Sequence, residues 1–85
     1  MTNLNLPFVT ERGFSLRYLQ GDETVDSEWQ LWRGQNRSPY AIQCCGRYFV
    51  ATEYNEKDQS IRFGRNRLSL GEAAKDCLQW WEEMP

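Results

Sequence analysis

The chain has no histidine, only three cysteines and three prolines, and no apolar run approaching the roughly 18 residues of a membrane span. Each shortage excludes something. Without histidine, the commonest general base and the commonest metal ligand are both missing. Cys44 and Cys45 are neighbours and Cys77 stands alone, so neither a disulfide framework nor a metal-ligand spacing is present. That pattern suits a reducing compartment. The opening residues, MTNLNLPFVTERG, lack the basic region and apolar run of a secretory signal. The expectation is a cytoplasmic protein with no membrane contact, no metal and no cofactor.

What is present is aromatic and unevenly charged. The 85 residues are expected to form one domain, 1–85, that buries about 60–65% of its unfolded surface. Phe, Trp and Tyr make up 14% of the chain, which argues for a packed core. The net charge of −2 offers no general attraction to nucleic acid. Its distribution is less even: residues 1–32 carry two basic and five acidic groups, 33–67 seven and three, and 68–85 one and four. The basic middle is mostly arginine, which favours planar, stacked or bidentate contacts.

The clearest local signal is SLGEAAKDCLQWWEEM, Ser69 to Met84. Ser69 followed by Glu72 reads as a capping box. At about 100° per residue, Leu70, Ala73, Ala74, Cys77, Leu78, Trp80, Trp81 and Met84 share one arc. The spacing predicts a helix over 69–84 that buries this arc on a sheet, with Leu70, Ala74, Cys77 and Trp81 inward and Trp81 near the centre. Nothing else in the chain looks helical.

The sheet must then come from residues 13–63. Residues 1–12 read as an edge strand or an extended arm, with Pro7 confining Leu4–Phe8 to an edge. Alternation predicts strands at Phe14–Tyr18, Glu28–Arg33, Tyr40–Cys45 and Arg47–Tyr54. A short last strand is expected at Ile61–Phe63, with turns at 21–27, 34–39, 55–60 and 64–67. Gly46 fits either a tight turn or a bulge. The expected fold is α+β in two layers: an antiparallel sheet of four to five strands with one C-terminal amphipathic helix on one face.

Catalytic signals are weak. Cys44 or Cys45 beside Arg47 is the only candidate thiol nucleophile, and the carboxylate pairs fall on a turn and a polar helix face. No enzymatic activity is expected. Binding is better supported, because one helix covers only one sheet face, while Trp29 and Trp32, or Tyr48 and Phe49, project to opposite faces. Exposed Trp, Tyr and Arg make the composition of an interaction hot spot. The candidate partner-binding residues are Trp32, Arg33, Arg37, Arg47, Arg62, Arg65, Arg67 and Phe8. Arg62, Arg65 and Arg67 are expected to lie together where the last strand turns into the helix, close to Arg33 or Arg47.

From Tyr40 onward, two strands, a short strand ending in Phe63-Gly64 and the helix opening LSLGEAA follow one another. This layout is similar to the three-strands-then-helix arrangement of AP2-type plant DNA-binding domains and of the arm-binding domains of phage integrases. The similarity covers about half the chain and implies a sheet that enters a DNA groove. The acidic total and the Trp-rich upstream strands depart from that pattern. The primary expectation is therefore an interaction module for a protein partner, with a homodimer through Trp32 or Phe8 as the simplest assembly. Nucleic-acid binding by the basic 33–67 region is the alternative.

Overall fold

A computed structural model describes residues 3–4, 6–24 and 26–83. Period-two alternation produces the strands β1 (Asn3–Leu4), β2 (Phe14–Leu19), β3 (Glu28–Arg33), β4 (Asn36–Cys45), β5 (Tyr48–Tyr54) and β6 (Ser60–Arg67). Each pairs antiparallel with the next in sequence, giving one open sheet in the order β1-β2-β3-β4-β5-β6. Among the described residues two helices accompany it, α1 (Pro7–Thr10) and α2 (Leu70–Glu83). The fold is α+β, as the sequence indicates, and α2 lies across β4, β5 and β6. Among the described residues no helix is long and apolar enough to cross a membrane.

The turns explain two departures from expectation. Gly34 (φ +60°) and Gly46 (φ +61°) each begin a two-residue connection, joining Arg33 to Asn36 and Cys45 to Tyr48. A left-handed glycine followed by a right-handed residue is the type II′ pattern, whose twist matches that of paired strands. Gly46 is thus a turn and not a bulge. The loop expected at 34–39 shrinks to Gly34 and Gln35, and Pro39 falls inside β4.

Proline has no N–H for the ladder, and the sheet accommodates it by a register shift. Gln30 pairs with Ala41 and Trp32 with Arg37, so Leu31 alone faces Ser38, Pro39 and Tyr40. The buried Ser38 hydroxyl stands in for the missing ladder bonds. It donates to the Leu31 carbonyl at 2.6 Å and accepts from the Tyr40 N–H at 3.2 Å.

At the other end, β6 is longer than the Ile61–Phe63 strand expected. The anticipated turn at 64–67 is strand, because Gly64 and Arg65 together face Ala51 as a bulge that pairing survives. Gly64 also lets the helix approach. A Cβ there would meet the Ala51 Cβ at 3.3 Å and the Trp80 ring at 3.5 Å.

Helix α2 packs as its apolar arc requires, with one correction. Ala73, Ala74, Cys77 and Leu78 are buried against Tyr40, Ile42 and Ala51. The central tryptophan is Trp80, 8% exposed beside Tyr40, while Trp81 is half-buried at the rim, edge-on to Phe14. Ser69 caps the helix as expected: its hydroxyl accepts the Glu72 N–H at 3.2 Å, and it donates to the Glu72 carboxylate at 3.1 Å. Met84 lies outside the described residues.

The N-terminal segment is not the extended arm that was one reading. Asn3–Leu4 form an edge strand on β2, but Pro7 occupies the first turn of α1, where its missing N–H is harmless. Helix α1 buries Val9, sets Phe8 beneath Lys75 and links Arg12 to Glu82. It therefore joins α2 on the same side of the sheet.

Two substitutions test this packing by chemical denaturation. Trp80→Ala should cost about 3–5 kcal/mol, and the rim Trp81→Ala clearly less; the reverse order would contradict the placement of the two rings. Ser38→Ala strands a buried carbonyl and a buried N–H and should cost about 1–3 kcal/mol.

Candidate interaction surface

Strand parity divides the sheet's side chains between its faces. The registers carry Phe14, Leu16, Leu31, Tyr40, Ile42, Ala51 and Arg62 to the side of the helices. The opposite side carries a continuous row, Arg17–Gln30–Ala41–Thr52–Phe63, one residue from each of β2 to β6. Flanking rows bring Trp32 beside Arg37 and Glu28 beside Gln43. No element among the described residues covers this face.

Three arginines lie over three aromatic rings on it. The Arg17 guanidinium carbon sits 4.1 Å from the Trp32 ring centre, Arg37 5.6 Å from Tyr54, and Arg47 5.3 Å from Tyr48. Such stacks hold the guanidinium plane while its edge N–H groups stay available to a partner. Arg17 also donates to the Gly34 carbonyl, and Arg47 to the Tyr48 hydroxyl. Neither has a carboxylate partner among the described residues. The Trp32 indole N–H is oriented by Gln30, to which it donates at 3.2 Å.

Beside the Arg37–Tyr54 stack is a polar network. Glu28, 6% exposed, accepts from the Tyr54 hydroxyl at 3.1 Å, and that hydroxyl accepts in turn from Gln43 at 3.1 Å. Burial first, and the neighbouring Glu28 charge after it, push the Tyr54 phenol up, so it remains a donor. The second Glu28 oxygen makes no hydrogen bond, and its closest cation is Arg37 at 3.9 Å. Arg37 also lies 3.6 Å from the exposed Asp58.

The residues singled out from the sequence separate by face. Trp32, Arg37 and Arg47 belong to the helix-free side. Arg33 lies on the helix side, 5.9 Å over Phe14 and 5.5 Å over Trp81. Arg62, Arg65 and Arg67 do line one groove, of about 410 Å³, but it runs between β6 and α2, and not at a turn. Arg67 is locked to Asp76 by two hydrogen bonds of 2.9 Å, which raise its pKa. Arg62 stacks 4.2 Å over Trp80, with Glu53 and Glu83 at 4.0 and 3.8 Å. Of these three, only Arg65 is left without an ion pair among the described residues. Phe8, half-buried against the core, is part of α1.

Sequence reasoning missed Arg17, Glu28, Gln43 and Tyr54 as members of one surface. The available signal was that Arg17 and Trp32 each sit on the polar parity of their strands; joining them required the register. The thiols are unactivated where a shift is resolved. Burial pushes Cys44 up and Cys77 up to about 12, the opposite of what a nucleophilic cysteine needs.

No family model matches this chain, and no curated protein and no solved structure matches it.

Proposed function

We propose that this protein is a non-enzymatic interaction module that binds a protein partner through the helix-free face of its sheet. The observation that carries the reading is the set of three arginine–aromatic stacks on an otherwise uncovered face. Trp, Tyr and Arg are the residues that dominate interface energetics, and here they surround a hydrogen-bonded floor. Phe63, 58% exposed at the end of the central row, adds apolar area. Arg17 and Arg47 favour a partner surface bearing carboxylates. The simplest assembly is a two-fold homodimer through this face, with Trp32 at the contact. The three free cysteines support a reducing, cytoplasmic setting.

Nucleic acid is the second reading, favoured by one observation: this face carries Arg17, Arg37 and Arg47, while Glu28, seated within it beside Arg37, is buried. Salt separates the two readings. Retention on heparin or DNA by phosphate contacts falls steeply with ionic strength, and replacing Arg17, Arg37 and Arg47 with Ala should flatten that slope. A protein contact anchored by Trp32 and Tyr54 loses with salt only what Arg17 and Arg47 contribute, and so falls far less steeply.

The expected result is selective capture of a partner, or a dimer in sedimentation at micromolar concentration, that Trp32→Ala weakens by about 2 kcal/mol or more. A Trp32→Ala, Arg17→Ala variant that folds normally and still binds or dimerises like the parent would overturn the assignment of this face.

A further inference from the structure

We infer that the outer edge of β6 accepts an extended, acidic segment of a partner protein as a further strand of the sheet. This site meets the helix-free face only at Phe63 and does not depend on the reading given to that face.

Strand β6 ends the sheet at an open edge, and among the described residues no strand lies beyond it. Half of the backbone N–H and C=O groups along its eight residues therefore face outward. The strand is exposed along nearly its whole length. Three of the four large apolar side chains exposed in the described chain lie in or just after it: Ile61 at 58%, Phe63 at 58% and Leu68 at 69%. Solvent-facing edges are commonly shielded by brevity, proline, a covering loop, charged side chains or a bulge. Strand β6 has the last two, the arginines and the Gly64–Arg65 bulge, both toward the helix side, but it is neither short nor interrupted by proline.

Charge selects the occupant. Arg62, Arg65 and Arg67 all line the helix side of β6. Arg65 has no carboxylate partner, and those of Arg62 are 3.8 Å or more away. Arg67 is held by Asp76, but a second copy pairing β6 to β6 would still bring two unpaired Arg65 side chains and two loosely paired Arg62 side chains to one seam, and like charges facing across strands destabilise a pair. An acidic strand meets the same groups favourably. Because side chains alternate, the matching segment places carboxylates at every second residue, over Arg62 and Arg65, and apolar residues between them, beside Phe63.

The test uses the whole chain and a fluorescent peptide of about ten residues, alternating Glu and Val, long enough to span a strand. Fluorescence anisotropy gives affinity, and amide hydrogen exchange locates the contact. Binding should slow exchange of the outward amides of Ser60–Arg67. It should weaken about ten-fold or more with Arg65→Glu, and fail for an alternating Lys and Val peptide or for one N-methylated on its pairing edge. Trp32→Ala should leave it unchanged, which separates this site from the helix-free face. Absence of binding, protection confined to β2–β5, or equal binding of the N-methylated peptide would overturn the proposal. So would β6 protection that grows with protein concentration in the absence of peptide, because a second copy would then occupy the edge.

Discussion

A β-strand offers its side chains to two faces in strict alternation, and both helices of this protein go to the same face. That constraint organises the molecule. The α2 arc and Val9 of α1 cover the apolar parity of the sheet, so the other parity has to tolerate water by itself. It does so with a mixed solution. Ala41 and Thr52 are fully buried on it although no element among the described residues lies above them. Acidic side chains of α2 gather on the opposite side of the molecule, where Asp76 and Glu83 hold Arg67 and Arg62. A chain of small net charge is thereby divided into unlike surfaces.

The edges obey a second rule, that backbone groups deprived of a ladder partner need another. Within the sheet the rule is met by side chains. Ser38 bridges Leu31 and Tyr40 around Pro39, and the Gly64–Arg65 bulge lets β6 stay paired while the strand bends over Trp80. At the outer margin of β6 no such substitute is present among the described residues, and it is this margin that we infer recruits another strand.

Helix α2 was legible because its signals are local: a capping box and an arc repeated through four turns fix its limits without reference to the rest of the chain. The core strands were legible for the same reason. Misreadings arose where the outcome depended on a distant neighbour. Proline and glycine at 39 and 64 looked like terminators, yet cross-strand pairing carried β4 and β6 through both. Trp80 and Trp81 share one arc, and only the position of α2 over β4–β6 decides which becomes central. The arginines of the basic middle seemed to form one cluster because they are close in sequence. Parity sends Arg33, Arg62 and Arg67 to the helices and Arg37 and Arg47 away from them. The binding face was legible in composition but not in membership, since Arg17 and Trp32 meet only through the β2–β3 register.

The nearest-neighbour order of the sheet also bears on how the chain reaches this state. Every strand pairs with the one just before it, so each hairpin can zip as soon as its second strand is available, with little loop entropy to overcome. The layer that hides the sheet's apolar side is different: most of it is α2, which follows all six strands in the chain. During synthesis the strands can pair before their main cover has left the ribosome, leaving Tyr40, Ile42 and Ala51 open to water or to a chaperone. Docking of α2 is thus the step that takes the apolar side of the nascent sheet out of water.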